Sequence, residues 1–167
     1  MKKLNFIIKC GLALLLLSFY SCESWLNVTP SDRLSEEMLF NDREGFVKAL
    51  NGVYIELNTN ELYGRNLTAG ALDVMGQYYS VASSSHAFYN YGGLVYTGND
   101  EKALFDNMWQ KCYAVIACCN TIIEKCDENK AGLSPVWKGA IKGEALALRA
   151  MLHFDMLRLF GPLTSEL

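Results

Sequence analysis

Histidine is nearly absent from this chain of 167 residues, which contains only His86 and His153. The sequence also lacks the motifs Gly-x-Ser-x-Gly and His-Glu-x-x-His, a phosphate-binding loop and a dinucleotide fingerprint. Polar contacts within a helix bundle explain His153 more simply than catalysis does. We therefore expect no enzyme activity, no cofactor, no catalytic residue and no metal site.

Basic residues are fewer than acidic ones, 15 against 18, which gives a formal charge of −3. Three of the basic residues, Lys2, Lys3 and Lys9, lie in the first 21 residues, and no acidic residue does. The rest of the chain therefore carries twelve basic and eighteen acidic residues, a charge of −6. Because nucleic-acid binding requires clustered basic residues, we expect no nucleic-acid partner.

Long apolar runs are also missing, apart from the 11 uncharged residues 10–20. This run is too short to span a membrane, which takes about 20 apolar residues. It follows a basic start and precedes Cys22, an order typical of a lipoprotein signal peptide. We predict a signal peptide over residues 1–21 and a lipidated Cys22, whose acyl chains anchor the protein at about 0.8 kcal/mol per buried CH₂. Ordinary cleavage nearby and an uncleaved anchor are the alternatives.

Four further cysteines lie close together at positions 112, 118, 119 and 126. Cys112, Cys119 and Cys126 are spaced by seven residues inside a helical pattern. Residues seven apart on a helix lie about 10 Å apart along its axis, beyond the reach of a disulfide. We predict buried thiols that act as small hydrophobic side chains.

The apolar spacing predicts four helices in the mature chain. The first begins near Asn41, with Glu44 as its capping-box partner, and follows an extended lead-in over residues 22–40. The second and weaker helix covers residues 67–79, with Leu72 and Met75 facing inward.

The last two predicted helices are the clearest. The third covers residues 101–127, and the fourth begins at Ser134-Pro135 and ends before Gly161-Pro162. A short turn between them predicts an antiparallel hairpin. The fourth helix has two apolar seams, so we expect it to be buried on two sides. The first seam consists of Ile141, Ala145, Leu148 and Leu152, and the second of Met151, Phe154, Met156 and Leu159.

Six aromatic residues fall within residues 78–96, which we call the aromatic segment. They are Tyr78, Tyr79, Phe88, Tyr89, Tyr91 and Tyr96. Irregular segments rich in Gly, Ser, Asn and Tyr often form recognition surfaces, and aromatic faces stack on sugar rings. From composition we select Tyr78, Tyr89, Asn90 and Tyr91 as ligand-binding candidates. The alternative is that half of these rings cover the helices beneath them.

Charged residues recur along the fourth predicted helix at Glu144, Arg149, Asp155 and Arg158. They can be interpreted as an acid–base set, but alternating charges at helical spacing more often form ion pairs. We therefore expect a half-buried ion-pair network.

Four motifs give the chain a family resemblance. Residues 22–30, CESWLNVTP, resemble the opening Cys-x-x-x-Leu-Asp-Val-x-Pro, with Asn27 in place of Asp. The second motif, Phe46 followed by ALNGVY at 49–54, is similar to F-x-x-A-L-x-G-x-Y. The third joins Trp109, Tyr113, Ile116 and Asn120 at helical spacing. The fourth and most specific is GEALALRA at 143–150, continued by FDMLRLFGP at 154–162. In this order they resemble the N-terminal part of SusD/RagB-type outer-membrane nutrient-binding lipoproteins of Bacteroidetes.

The resemblance implies an all-α fold of tetratricopeptide-like helical hairpins, with residues 41–167 as an incomplete N-terminal part. It implies a lipid-anchored protein facing the cell surface, which captures glycans and delivers them to a SusC-like TonB-dependent transporter without catalysis. Members of the family are several times longer, so we expect a gene fragment or a truncated reading frame whose fourth helix exposes an apolar patch. The alternative function is a lipid-anchored helical scaffold that binds only protein.

Overall fold

The computed structural model describes residues 36–162, which form helices and no strand. The described helices are α1 Glu36–Leu39, α2 Arg43–Leu57, α3 Ala71–Met75, α4 Tyr89–Gly92, α5 Asn99–Glu128 and α6 Pro135–Phe160. The all-α prediction is therefore confirmed, whereas the tetratricopeptide-like arrangement stays a prediction. The signal peptide, Cys22 and the lead-in up to residue 35 lie outside the described residues. None of the described helices is long and apolar enough to cross a membrane.

The N-cap of helix α2 lies one residue after the predicted one. Asp42, rather than Asn41, caps the helix, because its extended backbone lets the carboxylate accept a hydrogen bond from the Gly45 N–H at 2.8 Å. One helical turn, α1, lies inside the segment that was predicted to be extended. Phe40, just after that turn, packs edge to face on Phe46 at 4.8 Å between ring centroids and joins the core.

The predicted second helix is wrong in its extent, because only Ala71–Met75 is helical. Successive turns occupy residues 58–70, where the Thr68 hydroxyl donates to the Tyr63 carbonyl at 2.9 Å and shares this proton with the Arg65 carbonyl at 3.2 Å. A hydroxyl bonded to nearby carbonyls stabilises turns in competition with a helix. Ala71 and Val74 are the buried residues of α3, whereas Leu72 and Met75 are half-buried.

Helices α5 and α6 form the predicted antiparallel hairpin. Asn129 ends α5 in the left-handed conformation, with φ of 48°. Its side chain closes the turn by accepting from the Leu133 N–H at 2.7 Å and donating to the Leu133 carbonyl at 3.2 Å. Ser134 then caps α6 by accepting from the Trp137 N–H, with Pro135 as the first helical residue. Helix α6 ends at Phe160, before Gly161-Pro162, as the sequence predicts.

The core lies where α2 packs against the hairpin. Helix α2 contributes the predicted face of Phe46, Leu50, Val53 and Leu57. The hairpin contributes Met108, Cys112, Val115, Ile116, Cys119, Ile122, Cys126, Ile141, Ala145, Leu148, Leu152 and Met156.

The four helical cysteines are all free thiols. Cys112, Cys119 and Cys126 are buried as predicted, but the prediction is wrong for Cys118, which is exposed because it lies one residue off the buried face. Burial raises the pKa of the Cys112 and Cys119 thiols from 9.0 to about 11.

Four cross-helix contacts, the hairpin rungs, join α5 to α6 along one side. From the turn outward they are Asp127–Lys142 (2.6 Å), Asn120–Arg149 (2.8 Å), Tyr113–His153 (ring centroids 6.0 Å apart) and Trp109–Phe160 (ring centroids 5.0 Å apart). The rungs change from an ion pair at the turn to paired aromatic rings at the open end. Their spacing follows the helical repeat, so they lie on one side of the hairpin.

The prediction that α6 is buried on two sides is wrong for the described residues. Of the second seam, Met156 belongs to the buried face and Leu159 is half-buried against the core, whereas Met151 is 40% exposed and Phe154 is 59% exposed. The solvent side of α6 instead carries an apolar stripe at helical spacing, which we call the outer stripe. It consists of Gly139, Gly143, Leu146, Ala150, Phe154 and Leu157. A Cβ atom added to either glycine would meet nothing within 4 Å beyond its chain neighbours and the backbone of its own helix.

Candidate functional site

The aromatic segment is partly ordered around α4, and Tyr91 is its anchor. Tyr91 is only 2% exposed and packs edge to face against Phe88 and Phe105, with ring centroids 5.8 and 5.9 Å away. Burial, with a smaller contribution from the Glu101 carboxylate, raises the pKa of the Tyr91 hydroxyl to about 12. Tyr91 is therefore a core residue and has no free ring face for a ligand, contrary to its selection from composition.

Asn90 also has a structural partner. Its side-chain amide donates a hydrogen bond of 2.7 Å to the carboxylate of Glu101, which is 6% exposed and lies in the first turn of α5. A buried carboxylate requires hydrogen-bond donors, and Asn90 supplies one. The Asn90 carbonyl additionally accepts from the Val95 N–H at 2.9 Å. Asn90 therefore ties α4 to the start of α5.

The other two candidates from the sequence are accessible to solvent. Tyr78 is 80% exposed and Tyr89 is 42% exposed. Neither ring takes part in the ring contacts that connect Phe88, Tyr91, Tyr96 and Phe105. The four candidates thus divide into two accessible rings and two residues that hold the segment in place.

An open cleft of about 520 Å³, which we call the Tyr79 cleft, lies beside the aromatic segment. It is lined by Ala69, Val74, Tyr79, Ser80, Val81, Ala82, Ser83, His86 and Phe88. The Phe88 N–H donates to His86 Nδ1 at 3.1 Å, and the two rings lie 5.8 Å apart. The hydroxyls of Ser83 and Ser85 are hydrogen-bonded at 2.9 Å.

Tyr79 and Phe88 belong to the aromatic segment, but neither was selected as a ligand-binding candidate from the sequence, and His86 was assigned no role. The sequence signal that could have indicated this cleft is a histidine among serines and aromatic residues. That signal alone does not predict a cleft, because the cleft forms only when the chain folds residues 80–88 against α3.

Two other clefts are less suited to a ligand. One, of about 250 Å³, lies near α1, and its charged walls pair with each other, as Lys125 does with Glu36 at 2.9 Å. The other, of about 380 Å³, lies by the α5–α6 turn, where the Arg43 guanidinium covers the Trp137 ring at 4.7 Å. In both clefts the prominent polar groups already have partners.

The predicted ion-pair network along α6 is mostly a set of hydrogen bonds to neutral partners. Tyr54 donates to Glu144 at 2.6 Å, and the Arg149 guanidinium donates to the Asn120 side-chain oxygen. Asp155 accepts from Tyr63 and also pairs with Arg158 at 3.1 Å, the one ion pair among the four charged residues in the described structure. Periodicity could not reveal these partners because they lie on other elements.

These contacts also shift two tyrosine pKa values. The hydrogen bond to Glu144 raises the pKa of Tyr54, and burial followed by the Asp155 hydrogen bond raises that of Tyr63. Both hydroxyls thus keep their protons: that of Tyr54 connects α2 to α6, and that of Tyr63 connects the turns after α2 to α6. Within residues 36–162, no group of three or more His, Cys, Asp or Glu side chains is arranged to hold a metal ion.

Comparison with known proteins identifies the family of this chain. A family model described as "Starch-binding associating with outer membrane" matches residues 24–166. The chain belongs to the SusD-like family. The resemblance inferred from the four motifs is thereby confirmed. The match includes every described residue, so the hairpin and the aromatic segment are both parts of a SusD-like region.

A curated SusD-like relative is considerably longer than this chain. It is "SusD-like protein P2" of Formosa agariphila (strain DSM 15362 / KCTC 12365 / LMG 23005 / KMM 3901 / M-2Alg 35-1), with 26% identity over 164 residues. The alignment covers 95% of this SusD-like chain but only 30% of the relative. No solved structure matches the chain.

Proposed function

We propose that this SusD-like chain belongs to a lipid-anchored protein that binds glycans at the cell surface and delivers them to a SusC-like TonB-dependent transporter. The family description supports the starch-binding and outer-membrane parts of this proposal. The observation that carries it is the aromatic segment, which presents the accessible rings of Tyr78 and Tyr89 from a framework held by Tyr91 and Asn90. Exposed aromatic faces stack on the C–H faces of sugar rings.

The lipid anchor at Cys22 is the second part of the proposal. It is supported by the basic start, the short apolar run and the position of Cys22 directly after it. The N-terminal peptide of the protein extracted from membranes is expected to begin at Cys22 and to exceed its sequence mass by that of its acyl chains. A Cys22→Ser variant should lose the acyl mass and leave the membrane fraction, and a variant that stays anchored would contradict the assignment.

Glycan binding is tested by calorimetric titration of the detergent-extracted protein with a starch oligosaccharide. We expect saturable binding, weakened about tenfold by Tyr89→Ala, because losing one stacked ring costs about 0.5–1.5 kcal/mol in addition to its buried area. Tyr54→Phe is the matched control, since Tyr54 lies on α2 outside the aromatic segment. Absence of binding to any glycan would contradict the proposal.

A protein scaffold without its own ligand is the second candidate, favoured by the exposed outer stripe of α6. It predicts no response to sugars and co-purification with a membrane partner. Cross-linking in native outer membranes tests the transporter part. A cross-link to a TonB-dependent transporter is expected, and a wild-type protein that binds sugar but never cross-links would contradict delivery alone.

A further inference from the structure

The Tyr79 cleft has the size and lining of a ligand site. Its volume of about 520 Å³ lies within the range of roughly 300–1,000 Å³ that is typical of small-molecule sites. Its walls are mainly apolar, with the rings of Tyr79 and Phe88 and the side chain of Val74, and a few polar groups converge on it. Tyr79 is 53% exposed, so its ring is accessible from solvent.

The polar groups of the cleft can bind hydroxyls. His86 Nδ1 accepts the Phe88 N–H, which leaves the Nε2–H of the imidazole as a hydrogen-bond donor for a ligand. Each serine hydroxyl has one donor and two acceptor positions, and the Ser83–Ser85 bond uses only part of this capacity. A sugar hydroxyl, which both donates and accepts, complements these groups.

The charge of the residues that line the cleft indicates which class of glycan it can bind. No Asp, Glu, Lys or Arg is among the residues that line the cleft in the described structure. Arg65 is the nearby cation, but it lies over the Phe88 ring at 5.8 Å and is not a lining residue. A uronate or sulfate would therefore lose hydration without gaining a cationic partner from the lining, which is unfavourable, and it would approach a chain of net charge −3.

We infer that the Tyr79 cleft binds an uncharged sugar ring, stacked on Tyr79 and Phe88 and hydrogen-bonded by His86 and Ser83. This inference rests on the proposed glycan-binding function and adds to it a location and a charge class. It also assigns a binding role to His86.

The test compares a neutral starch hexasaccharide with a sulfated hexasaccharide by calorimetry on the detergent-extracted protein. We expect the neutral sugar to bind at least about tenfold more tightly, with an affinity that is insensitive to salt between about 50 and 300 mM. Tyr79→Ala and His86→Ala should each weaken its binding about tenfold. His86→Gln, which keeps a hydrogen-bonding amide, should retain more of the affinity than His86→Ala.

Tyr113→Ala is the control, because Tyr113 is a partly exposed ring on α5 and is not among the residues that line the cleft. It should leave the affinity unchanged. Circular dichroism checks that each variant folds, and His86 is exposed, so its variants stay informative even where Tyr79→Ala unfolds.

Different results would contradict the charge class, the location of the site and the proposed function. Tighter binding of the sulfated sugar overturns the charge class while glycan binding stands. Neutral binding that His86→Ala and Tyr79→Ala leave unchanged overturns the location alone. Absence of binding to every glycan overturns the proposed function together with this inference.

Discussion

Tyr63 and Asp155, which are 92 residues apart in the sequence, are joined by a hydrogen bond of 2.5 Å from the tyrosine hydroxyl to the carboxylate. This bond attaches the turns after α2 to the last third of α6. The Asp155 side chain is only 17% exposed, and its other partner, Arg158, is mostly exposed. Tyr63 is therefore the inward-facing partner of a carboxylate that is largely removed from water.

Tyr63→Phe is expected to lower the free energy of unfolding by about 1–3 kcal/mol, because it leaves a poorly hydrated carboxylate short of a donor. Urea unfolding measures the change. Tyr54→Phe is the matched control, since it removes a similar bond to Glu144 at an exposed position, and its effect should stay below about 1 kcal/mol. If the two variants lose the same free energy of unfolding, the burial of Asp155 does not determine the strength of its hydrogen bond to Tyr63.

The hydrogen bond between Asn90 and Glu101 is expected to stabilise the aromatic segment. Asn90→Ala removes a donor from a carboxylate that is 6% exposed, which should cost about 1–3 kcal/mol. Asn90→Asp should cost more, because it places a second negative charge beside Glu101. Hydrogen exchange at the amides of α4 should accelerate in both variants. Loss of glycan affinity with unchanged exchange and stability would instead identify Asn90 as a ligand contact.

Alkaline pH should destabilise the fold. The buried Cys112 and Cys119 thiols have pKa values raised from 9.0 to about 11, and that of Tyr91 is raised from 10.0 to about 12. Above about pH 9 the unfolded chain loses these protons while the folded chain keeps them, so the free energy of unfolding falls. Each such group contributes at most about 1.4 kcal/mol per pH unit.

Urea unfolding between pH 7 and about pH 11 tests whether the free energy of unfolding falls as the pH rises. The stabilising effect of these raised pKa values should be complete below about pH 9 and decrease as the pH rises toward about 11. Cys119→Ala should make the dependence shallower, because it removes one of the titrating groups. A free energy of unfolding that increases between pH 9 and 11 would contradict the burial of these thiols.

The outer stripe of α6 should promote association between copies of the protein. Phe154 is 59% exposed and Leu157 is 64% exposed on the same side of the helix. Replacing both with Gln should reduce binding of a hydrophobic dye and the tendency to associate at high concentration, while the free energy of unfolding changes by less than about 0.5 kcal/mol per site.

Leu152→Ala is the buried comparison for these substitutions. Leu152 is fully buried on the opposite side of α6, and its truncation should cost about 2–5 kcal/mol. Light scattering and urea unfolding separate the two effects. A comparable loss of stability in the Phe154 and Leu157 variants would show that the outer stripe is packed in solution.

Helical periodicity predicted the parts of the fold that are long and amphipathic. Helices α5 and α6, their turn and the buried face of α2 follow directly from the spacing of apolar residues and from Ser134-Pro135 and Gly161-Pro162. Helix α3 was predicted too long, because a hydrophobic pattern of a few residues cannot distinguish one helical turn from a series of hydrogen-bonded turns.

The candidate site was less predictable, because composition does not determine which rings are buried. Tyr89 and Tyr91 are two residues apart on one short helix, yet one is accessible and the other lies against Phe105 of α5. Likewise, Tyr63 and Asp155 carry no sequence signal that joins them. Both relationships depend on packing between distant segments, which local patterns do not describe.

The order of the hairpin rungs makes the two ends of the hairpin respond to different conditions. The turn end is joined by Asp127 and Lys142, whose attraction dissolved salt screens. The open end is joined by Trp109 and Phe160, whose apolar contact weakens on cooling. Concentrated salt should therefore loosen the hairpin first at its turn, and cold should loosen it first beside the aromatic segment.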